Sequence, residues 1–346
     1  MLILLMRNHK GEFMKTYTVA VLGASGAVGK AMIQALEERN FPLKRLVLLA
    51  SERSVGKRIL FKGKEVFIQK TDEHSFDDCD IVLGAVGNDL SKKYAPFIKK
   101  AHALFIDNSS AFRLEDDVPL VVPEINGTDI LHHQGIIANP NCSTIIGCIA
   151  IYALHQLSSI QSMIVSTYQA VSGAGIKGMY EYEKQLEDLT QNKEINTDVF
   201  PYQIVSNVIP QIGEFNENGY TGEEMKMQNE GRKILHAPQL KVNCTCVRVP
   251  VLRSHSLSMT LYFEKEITVG EVREALRSAQ GCRLIDEPFY PMPLDCSNQD
   301  LIYVGRIRRD LTSSKGITLW CCGDQIRKGA AVNAIQICEK YIELEV

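Results

Sequence analysis

The first part of the chain alternates short apolar runs with segments of helical periodicity. Residues 17–23 form an apolar run that ends in glycine, and residues 27–39 then repeat apolar positions at the spacing of an amphipathic helix. Further apolar runs, which we predict to be strands, occupy residues 45–50, 80–85, 103–107 and 135–138. Continuous apolar strands that alternate with helices are typical of a parallel sheet covered on both faces. The pattern therefore predicts an α/β domain.

A different pattern follows from about residue 162. Residues 163–168, 242–249 and 256–264 alternate apolar with polar positions, as in an antiparallel or mixed sheet that has one open face. Residues 176–235 carry helical charge patterns around a segment broken by proline, so we interpret them as an insertion. We predict that residues 140–325 form an α+β catalytic and dimerisation domain with a mixed sheet.

The two patterns define the predicted domain boundaries. The first domain covers residues 14–139 and is completed by an amphipathic C-terminal helix within residues 326–346. Residues 1–13 are predicted to be a leader, possibly disordered, because they fit neither a signal peptide nor a membrane span. Met14 precedes the first strand and is a candidate start.

Composition excludes several classes of protein. The chain has 346 residues, of which 45% are hydrophobic and 23% charged, which is the usage of an ordinary globular protein. A formal net charge of -3 and the absence of long basic runs argue against nucleic acid as a partner. Ten cysteines without zinc-site spacing or a secretory signal predict free thiols, a cytoplasmic location and no metal site.

A glycine motif marks a nucleotide site. Residues 23–29 (GASGAVG) follow the first strand and open a helix, where glycine permits a tight turn and close approach of backbone to a pyrophosphate. This predicts a Rossmann-like dinucleotide-binding domain, although a glycine turn that serves only helix packing remains an alternative. The candidate cofactor contacts in this motif are Gly23, Ser25, Gly26, Ala27 and Val28.

The turn after the second strand bears on cofactor choice. Arg53, flanked by Ser51 and Ser54, suits the 2′-phosphate of NADP. Glu52 could instead hold the unphosphorylated ribose of NAD, and a solvated turn is a third interpretation. The residues favour NADP.

Cys142 is the candidate nucleophile. It lies between the predicted strand at 135–138 and an apolar helix that runs to about residue 157, so it falls at a helix N-terminus, which favours the thiolate. Cys148, further along the same helix, has an apolar setting. Position alone leaves open whether Cys142 is a nucleophile.

Sequence blocks along the chain resemble the bacterial aspartate-semialdehyde dehydrogenases from about residue 17 to the end. The blocks are GASGAVG at 23–29, RSVGK at 53–57, NSSAFR at 108–113, NPNCST at 139–144, YQAVSGAG at 168–175, NVIP at 207–210, EEMK at 223–226, RVPV with HS at 248–256, and RKGAA at 327–331. The resemblance implies a homodimer that uses NADP to convert L-aspartyl-4-phosphate reversibly into L-aspartate 4-semialdehyde and phosphate. The reaction would pass through a cysteine thioester and serve lysine/diaminopimelate, threonine and methionine biosynthesis.

The resemblance also implies roles for individual residues. Cys142 would attack the carbonyl, His255 would act as general acid and base, and Gln169 would orient the acyl group. The implied substrate contacts are Arg248 for the α-carboxylate, Glu223 for the ammonium, and Arg113 with Lys226 for the phosphate. The implied further cofactor contacts are Ser172, Gly173 and Gln325, the last standing where the family usually has Asn. Without the resemblance, each would more simply be a surface or core residue.

Two other functions remain alternatives. N-acetyl-glutamyl-phosphate reductase shares the thioester chemistry but typically has Gly directly before the cysteine, where this chain has Asn141. A non-catalytic NADP-binding relative would not need Cys142, Gln169, Arg248 and His255 together.

Overall fold

The computed structural model describes residues 15–345, so the predicted leader at 1–13 and the candidate start at Met14 lie outside the described part. The chain divides into two compact units. The first contains the described residues up to Pro119, together with Asp129–Asn139 and the chain from Ala334; the second contains Leu120–Thr128 and Pro140–Asn333. No described helix is long and apolar enough to span a bilayer.

The first unit is built on a seven-stranded sheet. Its strands are β1 (Tyr17–Leu22), β2 (Leu43–Ala50), β3 (Arg58–Phe61), β4 (Lys64–Lys70), β5 (Ile81–Gly84), β6 (Leu104–Asp107) and β7 (Ile136–Ala138). They lie in the order β3-β4-β2-β1-β5-β6-β7, and all neighbours pair in parallel except β3 with β4. Every residue of β1 is buried, which explains its continuous apolar sequence. The predicted Rossmann-like α/β architecture is confirmed.

Helices accompany this sheet. Helix α1 (Ala27–Glu38) follows β1, and α2 (Asn88–Lys100) follows β5. The end of the chain also groups with this unit, where Glu339 accepts two hydrogen bonds from the guanidinium of Arg39 at 2.6 and 2.8 Å.

The second unit is built on a six-stranded mixed sheet. Its strands are β8 (Ile160–Gln169), β9 (Lys241–Arg248), β10 (His255–Phe263), β11 (Cys282–Leu284), β12 (Ile302–Arg309) and β13 (Gly316–Gly323), in the order β11-β12-β13-β10-β8-β9. Its helices are α3 (Pro123–Asn126), α4 (Cys142–Leu157), α5 (Gly175–Thr190), α6 (Gly222–Ile234), α7 (Val269–Ser278) and α8 (Pro293–Cys296). The alternating strand sequences correspond to one buried and one more open face, as β8 illustrates.

The helical insertion expected at 176–235 is helical only at its two ends, α5 and α6. The buried face of α5 is polar: Glu181 accepts hydrogen bonds from the backbone N–H groups of Asp198 and Val199, and Gln185 accepts from that of Ile204. The irregular chain between the helices thus obtains acceptors for its backbone donors, which a buried segment requires.

Two segments differ from the sequence-based boundaries. Leu120–Thr128, assigned above to the first domain, groups with the second unit. Polar contacts join this segment to the second unit: the buried Lys328 pairs with Glu124 at 2.8 Å, and Asn333 donates to the carbonyl of Val121 at 2.9 Å. The C-terminal helix begins later than residue 326, because a π-helical turn, Arg327–Ala331, precedes α9 (Val332–Glu345).

Candidate active site

Cys142 is the first residue of α4, as the sequence predicts. Asn141 caps this helix, and its Oδ1 accepts hydrogen bonds from the backbone N–H groups of Ser143 (3.0 Å) and Thr144 (3.2 Å). The thiol is partly exposed, and its place at the positive end of the helix favours the thiolate. Cys282 is also partly exposed, but burial raises the pKa of its thiol to about 12. Of these two thiols, Cys142 is therefore the one suited to attack.

Asn141 also connects the nucleophile helix to an acidic residue. Its Nδ2 donates to Oε1 of Glu223 on α6 at 2.9 Å, while its backbone N–H donates to Glu230 at 2.7 Å. The sequence alone assigns Asn141 no role in the site. The preference of Asn for helix N-caps was the available signal, although it does not reveal the bond to Glu223.

Glu223 lies at the centre of a hydrogen-bonded cluster. Lys226 donates to its Oε2 at 2.8 Å, and Gln169, the last residue of β8, donates to its Oε1 at 3.3 Å. Burial opposes ionisation of Glu223, but Lys226, Asn141 and Gln169 outweigh it and lower the pKa of the carboxyl to about 2. The cluster therefore contains a fixed carboxylate at neutral pH.

The backbone of Ala170 holds the next two side chains. Its N–H donates to Nδ1 of His255 at 3.1 Å, and its carbonyl accepts from Nη1 of Arg248 at 2.7 Å. Arg248 ends β9 and His255 begins β10, and both strands flank β8. Sheet register thus brings together side chains that lie far apart in the sequence.

The hydrogen bond at Nδ1 determines how His255 can act. A backbone N–H can only donate, so Nδ1 is the acceptor nitrogen and the proton of the neutral ring lies on Nε2. Nε2 is buried and has no hydrogen-bond partner among the described residues. Burial, and secondarily Arg248, lower the pKa of His255 to about 3, so the ring is neutral near pH 7. This arrangement favours hydrogen-bond donation from Nε2 over proton abstraction.

Gly173 keeps space open beside these two side chains. A Cβ at this position would lie 2.6 Å from Nη1 of Arg248 and 3.2 Å from Nε2 of His255. Burial lowers the pKa of the Arg248 guanidinium, and the nearby Glu223 and Cys142 partly offset that effect. The guanidinium of Arg248, the Nε2–H of His255 and the carboxylate of Glu223 can together bind a small zwitterion.

Both polar atoms of the Gln325 side-chain amide form hydrogen bonds within the protein. Its Oε1 accepts from the backbone N–H of Ser254 at 2.9 Å, and its Nε2 donates to Oγ of Ser172. Both Gln325 and Ser172 are buried. The predicted cofactor contacts Ser172, Gly173 and Gln325 therefore lie in the second unit, and Gln325 would have to use its remaining amide hydrogen.

The glycine motif in the first unit has the expected geometry. Gly23 has φ of 91°, and a Cβ there would lie 2.4 Å from the carbonyl oxygen of Ala85. A Cβ on Gly29 would lie 2.3 Å from the carbonyl oxygen of Gly23. Gly26 is the N-cap of α1 and provides no side-chain cap, and its own N–H donates to the carbonyl of Gly23 at 3.0 Å. The backbone donors of Ser25, in the loop, and of Ala27 and Val28, at the start of α1, suit a pyrophosphate.

The turn after β2 contains an exposed arginine. Ser51 precedes a short 3-10 helix at Glu52–Ser54, in which Arg53 is exposed and Ser54 is buried. Arg53 forms no ion pair with any residue of the described part of the chain. Glu52, the complication noted in the sequence, pairs with Lys70 of β4 at 2.5 Å. The turn therefore presents a cation, and the neighbouring carboxylate is paired with Lys70.

Arg113 belongs to the first unit and is buried. Its Nε donates to the carbonyl of Asn139 at 3.0 Å, and its Nη2 donates to that of Asn108 at 2.8 Å. These bonds fix the guanidinium in place, so Arg113 is not the surface residue that the sequence alone allows.

Models of known families match both parts of the chain. Residues 18–133 match the NAD binding domain of semialdehyde dehydrogenases, and residues 151–328 match their dimerisation domain. Together with a helix-initiating cysteine, these matches define the chain as an oxidoreductase of the semialdehyde dehydrogenase type.

Individual relatives narrow the family. The aspartate-semialdehyde dehydrogenase of Synechocystis is 48% identical over 328 residues, which cover 94% of this chain and 97% of the relative; that of Bacillus subtilis is 44% identical, over 95% and 98%. A Vibrio cholerae aspartate semialdehyde dehydrogenase II, solved in complex with ASA, superposes with a TM-score of 0.94 at 42% identity, covering 95% of this chain and 99% of that one. The chain belongs to the aspartate-semialdehyde dehydrogenase family.

Proposed function

We propose that the chain uses NADP to convert L-aspartyl-4-phosphate reversibly into L-aspartate 4-semialdehyde and phosphate through a thioester on Cys142. The observation that carries the proposal is the continuous network from Asn141, beside Cys142, through Glu223 and Gln169 to the residues held by Ala170. Such a reaction would serve the biosynthesis of lysine/diaminopimelate, threonine and methionine. Because the chemistry needs a reduced thiol, we expect a cytoplasmic enzyme.

Charge complementarity supports the substrate class. Glu223 is ionised and would receive the substrate ammonium, whereas the planar guanidinium of Arg248 would bind the α-carboxylate. Lys226 is about one-third exposed and would bind the phosphate that arrives or leaves. Arg113 is the second proposed phosphate ligand, because a guanidinium can bind an anion through hydrogen bonds. Gln169 would orient the acyl group.

The chemistry follows from the same groups. The Cys142 thiolate attacks the acyl carbon and phosphate leaves, so that a thioester forms; NADPH, when bound, would supply the hydride for reduction of the thioester, and the Cys142 thiolate would leave as the aldehyde forms. His255 would stabilise the negative charge that develops on the carbonyl oxygen by donating a hydrogen bond from Nε2. A neutral imidazole can serve this purpose without transferring its proton, which departs from the general acid and base role implied by the resemblance.

NADP is the proposed cofactor. Gly23, Gly26 and the start of α1 would hold the pyrophosphate, and Arg53 with Ser51 and Ser54 would bind the 2′-phosphate. Arg53, which forms no ion pair within residues 15–345, and the Glu52–Lys70 ion pair support this choice over NAD. A Candida albicans aspartate semialdehyde dehydrogenase, 26% identical with a TM-score of 0.74 over 94% of this chain and 98% of that one, was solved with NADP.

The state of Glu223 argues against the N-acetyl-glutamyl-phosphate alternative. An acetylated amino group carries no positive charge, so it would gain no charge-assisted contact from the Glu223 carboxylate, which already accepts from Lys226, Asn141 and Gln169. The free ammonium of an aspartyl substrate would gain one.

We also propose a homodimer formed through the open face of the second sheet. Ile164 and Tyr168 are exposed on β8, and the Tyr168 ring lies 5.3 Å from that of Trp320 on β13. Both strands belong to the region that matches a dimerisation domain. Light scattering on the purified protein measures its mass directly.

The deciding experiment is reduction of NADP by aspartate semialdehyde, measured at 340 nm with and without phosphate. We expect phosphate-dependent reduction with aspartate semialdehyde and little with N-acetyl-glutamate semialdehyde. The reverse substrate preference would support the reductase, and absence of turnover with both would support a non-catalytic binding protein.

A further inference from the structure

The sequence block RKGAA at 327–331 folds as a π-helical turn beside the nucleophile. Gly329 donates its backbone N–H to the carbonyl of Asp324, and Ala331 donates to that of Ile326, both at 3.0 Å and both across five residues. Single π turns are uncommon and occur often at functional sites. The backbone of this turn lies close to Cys142, the first residue of α4.

Gly329 makes the closest approach. A Cβ built on it would lie 3.0 Å from Cβ of Cys142, 3.4 Å from Cα of Cys142 and 3.4 Å from Cβ of Gln325. Carbon atoms pack best at about 3.5–4.0 Å, so a side chain at position 329 would require Cys142 or the turn to shift. The backbone of Gly329 therefore packs directly against Cys142.

A buried lysine anchors this turn. Lys328 has no exposed side-chain surface, and its Nζ donates to Oε2 of Glu124 at 2.8 Å and to Oδ1 of Asn333 at 2.9 Å. Asn333 in turn donates to the carbonyl of Val121. The ammonium thus fastens the turn to the segment containing Glu124 and to the first turn of α9.

Stability alone does not explain such a pair. Because burying two charges costs much of what their attraction returns, apolar residues of similar volume often stabilise a protein as well or better. A buried ion pair does fix geometry, since the ammonium must meet its partners in one arrangement. The residue after Lys328 is the one that contacts the nucleophile.

We propose that Lys328 and Gly329 are positioning residues for the nucleophile: Lys328 holds the π-helical turn in place, and the turn confines the Cys142 side chain through the backbone of Gly329. Neither residue needs to touch the substrate. The inference rests on the proposed role of Cys142 as nucleophile.

The first test is Gly329→Ala, with Gly231→Ala as the matched control. Gly231 lies within α6 of the same unit, where an added Cβ would meet no atom closer than 4.0 Å. We measure kcat, the KM for semialdehyde, and the rate at which iodoacetamide alkylates Cys142, followed by peptide mass spectrometry. We expect Gly329→Ala to lower kcat and the alkylation rate by about tenfold or more, with a much smaller change in KM, because small misplacements of a reacting group are costly. Gly231→Ala should change neither.

The second test asks whether Cys142 is positioned by the geometry of the Lys328–Glu124 pair, and not only by the balance of its charges. The double variant Lys328→Met/Glu124→Leu replaces the buried pair with apolar side chains, so it should retain its melting temperature. We expect it to show slow alkylation of Cys142 and a low kcat nevertheless. Wild-type values of both in this variant, or wild-type alkylation in Gly329→Ala, would overturn the proposal. If the double variant does not fold, Gly329→Ala alone decides.

The readouts distinguish this inference from the proposed function. Alkylation of Cys142 needs no substrate, so it reports positioning directly. An active Cys142→Ser enzyme would contradict the thioester mechanism, whereas a wild-type enzyme that depends on Cys142 but tolerates Gly329→Ala in both readouts would contradict only the positioning role.

Discussion

Replacing Arg248 with lysine tests how the anionic substrate is recognised. Arg248 uses Nη1 to bind the carbonyl of Ala170 at 2.7 Å, which leaves the rest of its planar fork to bind a carboxylate. Lysine keeps the positive charge but cannot bind the carbonyl and two carboxylate oxygens in that geometry. The variant should therefore lose at least one charge-assisted hydrogen bond.

The expected size follows from the value of one such bond. A hydrogen bond to a charged group contributes about 1.5–3 kcal/mol. Since about 1.4 kcal/mol corresponds to a factor of ten, Arg248→Lys should lower kcat/KM for the semialdehyde by about ten- to 150-fold. The KM for phosphate should change little, because the α-carboxylate is remote from the group that phosphate attacks.

Steady-state kinetics that vary each substrate separately provide the assay, with Lys226→Met as the complementary variant. Lys226 would bind the phosphate, so its loss should raise the KM for phosphate more than that for semialdehyde. If Arg248→Lys instead perturbs the use of phosphate, or if Lys226→Met leaves the phosphate dependence unchanged, the division of the substrate between these residues is wrong. Glu223 retains Asn141 and Gln169 as donors in the Lys226 variant, so the carboxylate should stay in place.

Three further predictions concern the nucleophile, the cofactor and pH. Cys142→Ser should abolish turnover while NADP still binds, as titration of cofactor fluorescence would show; residual turnover near the wild-type rate would refute the thioester. Arg53→Ala should raise the KM for NADP far more than that for NAD, by a factor equivalent to about 1.5–3 kcal/mol, and equal changes for both cofactors would show that Arg53 does not bind the phosphate. His255 has a folded-state pKa of about 3 against an ordinary 6.5, so the folded state binds fewer protons between these values and loses stability as pH falls through them, by up to about 1.4 kcal/mol per pH unit. Urea unfolding between pH 7 and 4 should thus show a shallower loss in His255→Gln than in the wild type, and parallel curves would contradict the depressed pKa.

Local rules were sufficient to predict the elements that hold the nucleophile. Residue 142 begins α4 because an Asn cap precedes an apolar run, and both signals are visible in neighbouring positions. The sequence likewise predicts five strands of the first sheet, β1, β2, β5, β6 and β7, to within two residues at each end, since buried parallel strands are continuously apolar. Identifying the remaining side chains required the resemblance, because Gln169, Arg248 and His255 meet only through the register of β8, β9 and β10.

Other features depend on interactions that no local pattern contains. The sequence does not predict the strands β3 and β4, because they are largely exposed and lack a continuous apolar run. The π-helical turn has nearly the apolar periodicity of the α-helix that follows it, so the sequence predicts one helix from residue 326. The polar inner face of α5 exists because the irregular chain beside it needs hydrogen-bond acceptors, a demand set by tertiary structure.

The ion pair between Glu52 and Lys70 makes the charge of the turn after β2 depend on a residue of β4. The carboxylate that would favour an unphosphorylated ribose is held by a lysine eighteen positions later, on β4. Exchange of Lys70 during evolution would release that carboxylate without altering any residue of the turn. The proposed cofactor preference would then change through a position outside the turn, which a comparison of the turn sequences alone would miss. Lys70 and the turn itself are therefore two places where a substitution could reverse the preference.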